Sequence, residues 1–219
     1  MKRAAIGIQM HSGWGVLVAV AGEARSLEIV DRRRIVTADP EISGSNQPYH
    51  YAARLEFPES EKYIAGCTAG STRLALSAMQ ALLAELNERR CQVVGCVVLL
   101  ASGRALPLLA KVLTSHPLIH RAEGEFFRRT AFHACEGLQV SVAAIREREL
   151  EERAKAAFGK SASRVQQQIA GQGGSIGPPW TRDHKTAALA ASLMLAPGGL
   201  NGWTGPAKGE LAHAATSQL

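Results

Sequence analysis

The stretch IGIQMHSGWGVLVAVAG, residues 6–22, constrains the fold more than any other part of the chain. Two apolar runs are separated only by the short polar turn HSG. Such runs, without polar alternation, are stable only when covered on both faces. A third run, SLEIVDRRRIV at residues 26–36, follows the turn AGEARS. Three strands joined by short turns predict an antiparallel meander over residues 4–10, 14–21 and 26–36. In many metal-dependent enzymes a first strand of this kind ends in an aspartate that holds the metal. Here the place is taken by Gln9, a neutral amide.

The hydrophobic period then changes. Within STRLALSAMQALLAELNERR, residues Leu74, Ala75, Ala78, Met79, Leu82, Leu83 and Leu86 share one helical face. Ser71 is placed as its N-cap, and Arg89 and Arg90 suit its C-terminal dipole. QVVGCVVLLASG predicts a central strand. RALPLLAKVLTSH predicts a helix stopped near His116–Pro117, and LIHRAEGEFFRRTAFHACEG a second ending at Gly137. LQVSVAAI predicts a last buried strand, residues 146–158 a charged surface helix, and TRDHKTAALAASLML a final helix. The order β-β-β-α-β-α-β-α implies an α/β fold: a mixed sheet, the three-strand meander plus two parallel strands, with helices on both faces.

Residues 1–196 are expected to form one domain. Residues 38–70, with three prolines and no clear period, are expected to form a long insertion after the third strand. Residues 159–180 are expected to be a Gly/Gln-rich loop, docked by Trp180. The segment 197–219 is expected to be a loosely ordered tail that Trp203 could anchor.

The basic start lacks the long apolar core of a signal peptide, and no apolar run approaches the roughly 20 residues of a bilayer crossing. A cytoplasmic location and no membrane contact are therefore expected. Cys67, Cys91, Cys96 and Cys135 show no CxxC or zinc-ribbon spacing, which predicts reduced, buried thiols. Cys91 and Cys96 bracket one strand and would lie about 16 Å apart, too far to bridge. The formal net charge of +6 permits a polyanionic partner. The arginines are spread out, with small clusters at Arg32–Arg34, Arg89–Arg90 and Arg128–Arg129.

The predicted order is the topology of the ribonuclease H-like superfamily, and two segments resemble its RuvC-type branch, the Holliday-junction resolvases and their relatives. IGIQMHSGWGVLVAV is similar to that branch's first hairpin. DHKTAALAASLML is similar to its last helix, in which an acidic residue precedes small residues packed on the sheet. The resemblance implies phosphodiester hydrolysis by two Mg²⁺ or Mn²⁺ ions held between carboxylates. Carried over by position, the first-strand acid is replaced by Gln9. The acid expected at the end of the fourth strand has no counterpart among Leu99, Leu100 and Ser102, and the last-helix acid is matched by Asp183. Glu147 and Glu149, directly after the fifth strand, are the acids that could substitute. Together with Asp183 they form the candidate catalytic set, with Asp183 and Glu147 as metal ligands and His184 or His11 nearby. The same residues also have structural roles open to them: Asp183 in the first turn of a helix capped by Thr181, and the glutamates at the start of a charged helix.

Other constellations remain. His116, His120 and Glu123, spaced at helical intervals, are an alternative metal site. Glu125 can pair with Arg128 and Arg129, which are otherwise candidates for phosphate contact. His133 is read as a core histidine. Tyr49, His50 and Tyr51 in NQPYHY could stack on bases or transfer a proton, or tuck the loop onto the domain. Two functions are compatible with these residues. One is a non-catalytic module binding nucleic acid or a protein partner, with Gln9, Tyr49, His50, Arg128 and Arg129 as binding residues. The other is a divergent metal-dependent nuclease. The lost acid at Gln9 favours the first.

Overall fold

A computed structural model describes residues 1–23, 26–101 and 105–197. Five strands, β1 (Lys2–Met10), β2 (Trp14–Glu23), β3 (Ser26–Val36), β4 (Cys91–Leu100) and β5 (Val142–Arg146), form one sheet in the order β3-β2-β1-β4-β5. β2 runs antiparallel to both β1 and β3, whereas β1, β4 and β5 are mutually parallel. The expected meander with two parallel strands is thus observed, and the arrangement is that of the ribonuclease H-like fold.

Around the sheet lie α1 (Pro48–Ala52), α2 (Phe57–Glu88), α3 (Leu109–Leu113), α4 (His116–Gly137), α5 (Leu150–Phe158), α6 (Ala162–Gly171), α7 (Gly173–Ile176) and α8 (Arg182–Leu195). Alternation along the strands divides the core in two. Ile6, Ile8, Met10 and Leu17 pack under α2 and α4 with Met79, Leu82, Leu86, Phe126 and Phe127. Ala5, Val16, Val18, Val97 and Leu99 pack under α5, α6 and α8 with Ala187, Ala190, Ala191 and Leu193. The small residues of α8 let it lie directly on β1. A Cβ built on Gly7 would fall 1.8 Å from the Ala187 carbonyl oxygen, so this glycine is what permits the approach.

α2 begins at Phe57, not near Ser71, and extends about 48 Å. The second half of the expected insertion is therefore helix. Pro58 is tolerated because it falls in the first turn, where no intrahelical partner for its nitrogen is needed. Ser71, expected as a cap, is buried mid-helix with its hydroxyl 3.1 Å from that of Thr130 on α4. Gly70 is another close approach: a Cβ there would meet Asp39 Oδ2 at 2.7 Å. Asp39 in turn accepts from Arg73 at 2.7 Å, fastening the segment after β3 to α2.

The Gly/Gln-rich stretch is also more regular than expected. α6 buries Ala162, Val165 and Ile169, an i, i+3, i+7 pattern among polar residues, the last two in the α8 side of the core. Trp180 docks the following loop as expected, donating its indole N–H to Ile169 O at 2.9 Å. α3 is shorter than expected, with no helix before Leu109 among the described residues. At the end of α4 the left-handed residue is Gln139, not Gly137. All four cysteines are buried free thiols, as expected. No described helix is long and apolar enough to cross a membrane. Residues 24–25 of the second turn, Ser102 and the segment from 198 onward, including Trp203, lie outside the described residues.

Candidate functional site

β1 is central in the sheet, and its C-terminal end carries Gln9 and His11 to the edge where β5 gives way to Glu147 and where α8 begins. Three remote segments therefore meet there. Gln9 is buried and donates its amide Nε2 to Glu147 Oε2 at 3.3 Å. Glu147 Oε1 accepts from Arg182 at 3.2 Å. Asp183 Oδ2 lies 3.1 Å from His11 Nε2. His11 stacks on Trp14 (centroids 4.4 Å apart), and the Arg34 guanidinium lies 4.7 Å from the same indole centroid. Asp183 and Glu147 thus reach one sheet edge, as the sequence suggested, but each carboxylate already faces a donor.

Thr181 caps α8 and aligns this edge. His184 Nδ1 receives the Thr181 hydroxyl at 2.8 Å, with the Thr181 backbone N–H directed at it from 3.3 Å. Burial and, secondarily, the positive charge of Arg32 hold the His184 pKa below the usual histidine value, against the opposing pull of Asp183. A neutral imidazole is what the cap requires, since a protonated Nδ1 could accept nothing.

A two-metal centre of Mg²⁺ or Mn²⁺ needs several free carboxylate oxygens at this edge. The residues present do not fit one. Gln9 offers a neutral oxygen, and that oxygen is buried without a partner while its amide nitrogen faces Glu147. Glu149 is directed elsewhere: Arg153 donates to it at 2.9 Å and Arg146 at 3.4 Å, and these bonds, Arg153 foremost, hold its pKa below the usual range. It leaves the candidate set because the 3-10 turn after β5 (Glu147–Glu149) points its two glutamates to different partners.

The arginine clusters are largely structural. Arg32 donates to the carbonyls of Ile176 (2.9 Å), Pro178 (3.0 Å) and Pro179, stapling the loop before α8 to β3. Arg33 binds Asp31 and Glu85, both at 2.7 Å, joining β3 to α2. Of these three, Arg34 is the exposed one. Arg128 is turned inward, donating to Leu99 O at 3.2 Å and to Gly124 O, and the Nε of Arg129 is buried. Arg128 is thus committed to backbone carbonyls. Burial raises the pKa of Glu125, against the opposing pull of Arg128 and Arg129, the partners expected from the sequence, and of Arg121 and Arg146. Burial lowers the Arg128 pKa, against the opposing charges of Glu125 and Glu147.

Tyr49 is buried, edge-on to Phe126, and Tyr51 stacks on Tyr63 at 4.6 Å, contacts that tuck this segment onto the domain. His133 is partly exposed beside Glu136 (3.1 Å), not a core residue. His50, His116 and His120 come together beyond the start of α4. Glu123 is not beside them as a ligand. It is buried beneath His50, and the spacing in α4 alone could not reveal a partner arriving from α1.

No protein-family model matches the chain, and no curated protein does. Among solved structures, the chain is similar to RuvC of Thermus thermophilus at 13% identity, covering 86% of this chain and 90% of that one, with a TM-score of 0.43. It is similar to Thermus thermophilus RuvC in complex with a Holliday junction substrate at 14% identity, covering 87% and 90%, with a TM-score of 0.45. It is also similar to an Aquifex aeolicus member of the Ppx/GppA family at 15% identity, covering 72% of this chain and 39% of that one, with a TM-score of 0.32.

Proposed function

We propose that this chain is a non-catalytic nucleic-acid-binding module that keeps a ribonuclease H-like scaffold and replaces its metal site with an ion-pair network. The observation that carries the reading is the Gln9–Glu147–Arg182 chain of hydrogen bonds, in which an amide and a guanidinium stand where hydrolysis would need carboxylates and cations. Binding has its own support. Arg34, Arg148, Arg182 and Lys185 are exposed on the elements that meet at this edge, on a protein of net charge +6. Exposed cations favour association with a phosphate backbone by releasing its counterions.

The competing reading is a divergent nuclease using Asp183 and Glu147 with Mg²⁺ or Mn²⁺. In its favour, both acids reach the end of β1, through His11 and Gln9. It requires His11 and Arg182 to withdraw from them. The test is cleavage and binding of labelled DNA and RNA, branched forms included, with either metal, for the wild type and Asp183→Ala. Binding without cleavage is expected. Metal-dependent cutting abolished by Asp183→Ala would overturn the reading in favour of the nuclease.

A further inference from the structure

The structure places three imidazoles, two of them exposed, in one group formed by two helices. α1 delivers His50, and the first two turns of α4 deliver His116 and His120. One ring nitrogen from each lies within 4.8 Å of the other two. The ring centroids are 5.7 Å (His50–His116), 4.8 Å (His50–His120) and 4.4 Å (His116–His120) apart. Nitrogens bound to one tetrahedral ion at 2.0–2.1 Å would be about 3.3 Å apart, so modest side-chain rotations close the group around a metal.

Glu123 supplies an independent observation. It is buried at the junction of α1 and α4, and its Oε1 accepts the backbone N–H groups of Tyr49 (2.8 Å) and His50 (3.0 Å). The same oxygen lies 3.2 Å from His50 Nδ1, while Oε2 is buried without a partner. Nδ1–H of His50 is thereby directed at a carboxylate, leaving Nε2 as the free acceptor. A metal-bound histidine is typically held in this way, with its tautomer and ring orientation fixed by a carboxylate behind it. A buried carboxylate with an unused oxygen is costly for a loop anchor alone, since two backbone donors would fasten α1 without any imidazole.

We propose that His50, His116 and His120 bind one divalent transition metal of the zinc class, with Glu123 orienting His50. Three neutral nitrogens select borderline ions such as Zn²⁺ over Mg²⁺ or Mn²⁺, which favour oxygen. His116 and His120 are exposed, so the fourth coordination position faces solvent. The ion would cross-link α1 to α4, making the segment after β3 metal-dependent in its stability.

The test is calorimetric titration of the chelator-treated full chain with Zn²⁺, with Mg²⁺ as the comparison, alongside Co²⁺ absorption spectra. Wild type is expected to bind one Zn²⁺ per chain saturably, to give a tetrahedral Co²⁺ spectrum and to melt at a higher temperature with Zn²⁺. His116→Ala and His120→Ala, both at exposed positions, should each weaken binding at least tenfold. Glu123→Gln, if folded, should weaken it tenfold to a hundredfold. Unchanged affinity in a His116→Ala/His120→Ala double variant, or no saturable Zn²⁺ binding by the wild type, would overturn the proposal.

Discussion

Gln9 and Glu147, 138 residues apart in the chain, meet at the C-terminal edge of the sheet with an amide nitrogen 3.3 Å from a carboxylate oxygen. The contact converts a position suited to a metal-binding acid into a neutral donor for one. It also leaves Glu147 bridging β1 to Arg182 at the start of α8.

Replacing that donor with an acid should therefore be costly. Gln9→Asp would set a second carboxylate toward Glu147 at a buried position and remove a charge-assisted hydrogen bond, a loss of about 2 kcal/mol. Urea denaturation in the presence of a chelator measures it. Adding Mn²⁺ should restore part of the loss, because two facing carboxylates suit a hard cation. Stability equal to the wild type in chelator would show that Gln9 does not hold Glu147 in solution.

The binding reading makes a quantitative statement about salt. If Arg182 and Lys185 each neutralise a phosphate, the slope of log affinity against log salt should flatten by roughly 2 in Arg182→Ala/Lys185→Ala. Affinity should fall about equally on all sequences, as measured by fluorescence anisotropy at several salt concentrations. An unchanged slope would remove this edge from the interface.

Much of the scaffold was legible because its hydrophobic periods are strong. β2 follows the turn residue Gly13, β3 follows directly on β2 after a short turn, and α8 follows a Thr-capped start into a run of alanines. What stayed hidden depended on contacts between remote segments. The start of α2 was obscured by Pro58, Gly66 and Gly70, residues that usually mark loops, and Gly70 is explained by Asp39 lying against it. The sheet edge was partly visible: Glu147 was placed there by its position directly after the fifth strand, and Asp183 by the resemblance of the last helix. Nothing local separated Glu147 from Glu149, because the difference lies in Gln9 and Arg182 on one side and Arg153 on the other. The histidine group was half visible for the same reason. His116 and His120 share a helix face, but His50 arrives from a segment without a period.

Gly7 is a sharper packing test than any large core residue. An added methyl group would sit 1.8 Å from the Ala187 carbonyl oxygen, and both partners are backbone in the centre of the molecule. β1 and α8 would have to separate. That opens the core over Val18, Val97 and Leu193. Gly7→Ala should cost at least about 3 kcal/mol, the upper part of the range for overpacked cores. A denaturation midpoint within error of the wild type would mean that α8 does not lie so close to β1.

The last prediction concerns pH and rests on the cap of α8. His184 accepts from Thr181 through Nδ1, which must be unprotonated, and burial holds its pKa below the ordinary value of 6.5. The unfolded chain takes up the proton at the ordinary value and the folded chain only at lower pH. Between the two values the unfolded state binds more protons, so stability rises with pH across that window. The contribution is complete above about 6.5 and is lost as pH falls toward the folded-state value. His184→Gln keeps an acceptor at the same position of the capping box without a titrating group. Its denaturation midpoint should therefore gain on the wild type as pH falls from 7.5 to 5.5. Parallel curves for the two proteins across that range would show that the imidazole is not held neutral by the fold. The register of Asp183 with His11 would then need another anchor.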